Sequence, residues 1–206
     1  MAHDHTHHDH GHDHGRAATS RALAVVLALT AAFMVAEVVG GLLTGSLALL
    51  ADAGHMLSDA ASLALALFAS WLAAKPATPE RSFGYKRAEI LAALANGVTL
   101  VAISIWILIE SYRRLMQPPE ILGGGMLAVA AIGLLVNVVA AGILSRSGGE
   151  SLNLRGALRH VIADVLGSVG AISAAVIIIL TGWRYADPLI SAVISVLILA
   201  SSWTLL

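Results

Sequence analysis

The sequence predicts an all-α protein, a bundle of six membrane-spanning helices with both termini in the cytoplasm. Three observations carry this reading. The chain is 58% hydrophobic against 12% charged, with a mean hydropathy of +0.83, where soluble domains run near 25% charged. Its apolar residues come in blocks of membrane-crossing length, about 20 residues each. Its lysines and arginines divide unequally between the two sets of loops.

The blocks fall at about 21–43, 47–74, 88–112, 122–144, 154–181 and 186–206. Gly45-Ser46 separates the first two, and Lys75-Pro76 through Arg87 the second from the third. Gln117-Pro118-Pro119-Glu120, Arg146-Ser147-Gly148-Gly149 and the stretch from Thr181 to Pro188 make the remaining breaks, each rich in turn-forming residues. The second and fifth blocks are long enough to tilt or to project beyond the bilayer. One side of this arrangement receives Arg16, Arg21, Lys75, Arg81, Lys86, Arg87, Arg146, Arg155 and Arg159; the other receives Arg113, Arg114 and Arg184. The richer side is the cytoplasmic one, and the Arg113–Arg114 pair is the exception to the rule. Trp71, Trp106, Tyr112, Trp183, Tyr185 and Trp203 lie mostly near block ends, as an interfacial belt does. The first block is too long, and the start too rich in His and Asp, for a signal peptide.

Composition also excludes partners and chemistries. The net charge of -1 leaves no basic stripe for a nucleic acid. The absence of cysteine removes disulfides and thiolate metal sites. No His-Glu-x-x-His and no phosphate-binding loop occurs, so neither a metalloprotease nor ATP drive is supported. The chain is not expected to be an enzyme or to hold an organic cofactor.

Ionisable residues inside spans are costly and usually functional. They are Glu37 in the first span, Asp52, His55 and Asp59 in the second, Glu110 in the third, and His160 and Asp164 in the fifth; Glu89 stands at the mouth of the third. Of nine histidines, seven lie in the tail, and the other two, His55 and His160, each precede an Asp by four residues. Only four Asp lie outside the tail, so chance is a poor explanation of two such matches. Residues i and i+4 share a helix face, one turn apart. Each pair therefore offers one imidazole nitrogen and one carboxylate oxygen to a single ion. Two pairs facing each other supply an N2O2 set suited to tetrahedral Zn²⁺. This requires the second and fifth spans to touch. The plainer alternative is a hydrogen-bonded helix–helix contact at each pair.

Asp52 continues the face of His55 and Asp59. It is open to three roles, a fifth ligand, a proton carrier or a carboxylate that orients His55, with the last preferred because ligating histidines usually donate their other N–H. Glu37, Asn96 and Asn137 either line a hydrated path or bond across helices. Residues 1–19 form a separate tail carrying His3, His5, His7, His8, His10, His12 and His14 among Asp, Gly and Thr. Such a tract is expected to be disordered. It either holds Zn²⁺ loosely near the entrance or is a neutral tail or purification tag.

At this point the residues meet a known family. Ala51-Asp52-Ala53-Gly54-His55-Met56-Leu57-Ser58-Asp59 resembles the second-helix motif of zinc-type cation diffusion facilitators. Three further stretches follow in the family's order: Ser82 to Ala92, His160 to Asp164, and Tyr185-Ala186-Asp187-Pro188-Leu189. The resemblance covers residues 20 to 206. It implies a six-helix transport domain, a homodimer, and export of Zn²⁺ from the cytoplasm in exchange for protons, in a bacterial inner membrane. It assigns the transport site to His55, Asp59, His160 and Asp164, and His at the first position goes with zinc over cadmium. Family members usually continue into a cytoplasmic metal-binding domain. This chain stops at Leu206: either that domain was removed or this is a member that lacks it, and in both cases dimerisation is expected to rest on the membrane part. The loop from Lys75 to Lys86 has no His or Asp, so the second metal site of some members is not expected. The rivals are a metal sensor that does not transport and a channel, the latter disfavoured because tight four-ligand binding slows release.

Overall fold

The computed structural model describes residues 11–58, 60, 86–146 and 152–203. The chain is all-helical over these residues, with six helices and no strand among them. They are α1 (Gly11–Thr44), α2 (Leu47–Ser58), α3 (Lys86–Met116), α4 (Gly123–Arg146), α5 (Leu152–Thr181) and α6 (Ala186–Trp203). Every expected apolar block holds one of them.

Four helices contain a stretch long and apolar enough to cross a membrane: Leu23–Thr44, Leu94–Met116, Gly123–Arg146 and Ala157–Thr181. The apolar parts of α2 and α6, Leu47–Ser58 and Ala186–Ala200, are shorter. Half of the expected second span, residues 61–74, lies outside the described residues. Helix α1 begins about ten residues before its expected apolar block, at Gly11. Apolar periodicity marks where a helix enters lipid, not where its hydrogen bonding starts, and Ala17, Ala18 and Ala22 favour continuation. His12 and His14 fall on this first stretch of α1, whereas His3, His5, His7, His8 and His10 lie outside the described residues.

Small residues let the helices approach. One cluster joins Ala48 and Leu49 of α2 to Met126 and Ala130 of α4, Ala171, Ala174, Ala175 and Ile178 of α5, and Ala186 of α6. In lipid no hydrophobic force draws helices together, so association rests on close packing and on hydrogen bonds between them. A second cluster sets Leu47 and Ala51 of α2 against Ile107 of α3, with Ile103 and Ile194 beside it. Helices α1, α4 and α5 pack together, α3 pairs with α6, and α5 also contacts α6. With one face on α4 and α5 and another on α3, α2 sits between these groups. Outward faces carry Val35, Leu42, Leu43, Leu135, Val138, Leu166 and Leu180, all more than half exposed. That coat suits hydrocarbon rather than water.

Candidate metal centre

Helices α2 and α5 bring the paired histidines together. The rings of His55 and His160 lie 5.8 Å apart, centroid to centroid, and are tilted by 55°. Asp164, fully buried, stands one turn along α5 from His160, with Nε2 and Oδ2 3.6 Å apart. One ligand atom from each of His55, His160 and Asp164 can be chosen so that all lie within 4.8 Å of one another. Zinc bonds of about 2.0 Å in a tetrahedron place ligand atoms roughly 3.3 Å apart. Small rotamer shifts would draw this group onto one ion. Asp59, the fourth expected ligand, lies outside the described residues.

Carboxylates border the group. Asp52, 2% exposed, lies near both Glu37 of α1 and Asp164 of α5. Its carboxylate lies hard against the backbone of Gly167, one turn beyond Asp164 on α5: a Cβ placed on Gly167 would meet Asp52 Cγ at 2.8 Å and Oδ2 at 3.0 Å. Glu37 is fully buried. Neither of its oxygens, nor Oδ2 of Asp52, accepts a hydrogen bond of ordinary geometry among the described residues. Buried carboxylates left so are expensive in a bilayer interior and mark a polar interior path.

The two asparagines bond across helices. Asn96 of α3 donates through Nδ2 to Ser58 Oγ of α2 at 3.2 Å. Asn137 of α4, fully buried, approaches Ser168 Oγ of α5 at 3.4 Å, a long and weak bond. Ser168 is one turn from Asp164, so this contact helps set α5 against α4.

Sequence reasoning missed a polar joint at the other end of α2. Asp187, fully buried in the first turn of α6, accepts the backbone N–H of Leu47 at 2.8 Å, that of Ala48 at 3.0 Å and the hydroxyl of Ser46 at 2.6 Å. Arg114 of α3 stands 3.8 Å from the same carboxylate, pairs with Glu110 at 3.1 Å and donates to the carbonyl of Gly45. Its side chain is 17% exposed, against 73% for Arg113. The Arg113–Arg114 exception therefore has a physical reason in part: Arg114 is neutralised inside the protein and is no free charge for the membrane to sort. The signal available in the sequence was an Asp-Pro pair opening an apolar block, where Pro188 marks a helix start.

Comparison with known proteins follows the same lines. The profile of the cation efflux transmembrane domain matches residues 23–206. The chain is 51% identical over 178 residues to a cadmium, cobalt and zinc/H(+)-K(+) antiporter of Bacillus subtilis, a match covering 85% of this chain and 57% of that protein. It is 48% identical over 180 residues to the metal cation efflux system protein CzcD of Cupriavidus metallidurans, covering 87% and 57%. It is 48% identical over 207 residues to the zinc transporter ZitB of Escherichia coli, covering 100% of this chain and 66% of the relative. The chain thus spans less than two thirds of the length of these relatives. With a domain profile matched over nearly its whole length, the chain belongs to the cation efflux family, the cation diffusion facilitators.

Proposed function

We propose that this chain is the membrane domain of a transporter that exports Zn²⁺ from the cytoplasm in exchange for protons. The observation that carries the reading is the convergence of His55, His160 and Asp164 from two helices onto one point. Asp59, one turn beyond His55, completes an N2O2 set in this proposal. The name of the Bacillus subtilis relative, which pairs cadmium, cobalt and zinc with H(+)-K(+) antiport, supports both the cargo and the coupling, and that of ZitB the cargo.

The ligand chemistry accounts for the exchange. Zinc requires neutral imidazoles and ionised carboxylates, so protons compete with it for the same atoms and metal affinity falls as they arrive. Imidazole is the side chain whose charge ordinarily changes near neutral pH. An ion taken up from the cytoplasmic side is released when protons reach the site from the other face. The site stays near mid-membrane while helices rock about it between inward-open and outward-open states. Six crossings, cytoplasmic termini, a bacterial inner membrane and a homodimer belong to the same proposal. So does a cytoplasmic His-rich stretch over residues 1–19, its residues 11–19 forming the start of α1, that gathers zinc near the entrance. Glu37 and Asp52 border the path of the ion and are proposed as its polar lining, with Asp52 beside the Asp164 ligand.

The test is flux of Zn²⁺, Cd²⁺ and Mn²⁺ into proteoliposomes, with and without His160→Ala. The proposal expects zinc-dependent proton movement in the parent and none in the variant. Zinc binding without flux in the parent would favour a sensor, and flux indifferent to a pH gradient would remove the proton coupling.

A further inference from the structure

The N-terminus of α2 is held by groups from other helices. The first N–H groups of any helix lack partners within it. Here Leu47 and Ala48 donate to the two oxygens of Asp187, and Leu49 N–H donates to Ser46 Oγ at 3.3 Å. Ser46 is thus the N-cap of α2, and its own hydroxyl proton goes to Asp187 Oδ1. One carboxylate, carried by α6, therefore satisfies two orphan donors and the capping residue of α2. It lies at the positive ends of two helix dipoles, those of α2 and of α6, where negative charge is favoured.

The other side of the same turn is also fastened. Gly45, at φ 72°, ends α1 in the left-handed conformation that favours glycine. Arg114 from α3 donates to its carbonyl while pairing with Glu110 and facing Asp187. Leu122 N–H bonds the carbonyl of Thr44 at 3.0 Å. The turn between α1 and α2 has partners from α3, α6 and the segment leading into α4, all away from the metal centre. His55 stands eight residues along α2 from Leu47, about 12 Å of helix. The stretch of capped helix from Leu47 to His55 transmits the angle and rotation of its first turn to His55.

We propose that Asp187 is a positioning residue for the metal centre. By clamping the first turn of α2, with Arg114 balancing its charge, it sets the axial rotation that brings His55 to His160. It does not touch the ion. This inference rests on the zinc-binding role of His55 and His160 proposed above.

The experiment uses the full chain in lipid nanodiscs and compares the parent with Asp187→Asn, Ser46→Ala and Arg184→Gln. Zinc affinity and stoichiometry are measured by titration, and geometry by the visible absorption of bound Co²⁺. Asn keeps one acceptor oxygen and loses the charge, so zinc affinity should fall about tenfold. The number of ions per chain should stay the same, and the Co²⁺ bands should shift as the histidines move. Ser46→Ala should change affinity and spectrum in the same direction, by less. Arg184→Gln alters an exposed pair with Glu120 at the same end and should match the parent. An Asp187→Asn protein with parental affinity and parental spectrum overturns the proposal. Loss of one bound ion with the remaining Co²⁺ spectrum intact also overturns it, because Asp187 would then be a ligand. If Asp187→Asn does not fold, Ser46→Ala decides by the same readouts. A parent that binds no zinc would instead refute the metal-site reading, and this proposal with it.

Discussion

Gly167→Ala should weaken zinc binding although the new methyl touches no proposed ligand. The added Cβ would lie 2.8 Å from Cγ of Asp52. Carbon–carbon contacts settle near 3.5 Å, so the two helices must part there by about 0.7 Å or Asp52 must turn away. Turning is obstructed, since Asp52 is 2% exposed and lies close to the fully buried Glu37. Gly167 is three residues from Asp164, and Asp52 three from His55, so the overlap falls one turn from the point where α2 and α5 present their ligands. The ligand atoms of His55, His160 and Asp164 already lie up to 4.8 Å apart and must close on the ion. Overpacking of this kind costs about 1–3 kcal/mol. Expressed wholly at the site, that is roughly a 5- to 150-fold loss of zinc affinity. Titration calorimetry on the purified protein measures it. Gly142→Ala is the control, because a Cβ there meets nothing within 4 Å, and it should leave affinity unchanged. Equal affinities for Gly167→Ala and the parent would refute the claim that Asp52 and Gly167 set the spacing of the ligand helices.

Other consequences are as specific. Gly133→Ala should destabilise the protein by about 1–3 kcal/mol, because its Cβ would meet Cε1 of Phe33 at 2.7 Å; Phe33→Leu in the same chain should recover part of the loss in thermal unfolding. Ser168→Ala removes the partner of Asn137 and should cost only about 0.6 kcal/mol, the usual worth of a bond between membrane helices. Arg114→Gln should lower the melting temperature clearly more than Arg113→Gln, since Arg114 faces the buried Asp187 and Arg113 is mostly exposed. Zinc at a hundred times its Kd should stabilise the parent by about 2.7 kcal/mol, and His160→Ala should abolish that stabilisation.

Much of this molecule is legible before any coordinates. The apolar blocks locate the helices because lipid permits little else. Two His-x-x-x-Asp pairs imply that α2 and α5 pack together, because neither pair closes a tetrahedron alone; Ala48 and Leu49 indeed share a cluster with Ala171, Ala174 and Ala175. The contact of Asp52 with Gly167 was not legible, since periodicity gives the face of a residue but not what lies opposite it. Nor was the place of Arg114. Counting charges by loop treats every arginine as facing solvent, and only the fold shows Arg114 turned inward to Glu110, Asp187 and the Gly45 carbonyl. Asp187 lay within a recognisable motif, but capping a helix 140 residues earlier in the chain is a long-range pairing that local patterns do not carry.

Zinc X-ray absorption on the metal-loaded chain tests the central claim most directly. The account predicts a four-coordinate ion with two imidazoles and two oxygens, at about 2.0–2.2 Å. It also predicts one imidazole fewer when either His55→Ala or His160→Ala is loaded. A six-coordinate ion, or a spectrum unchanged by both substitutions, would contradict it.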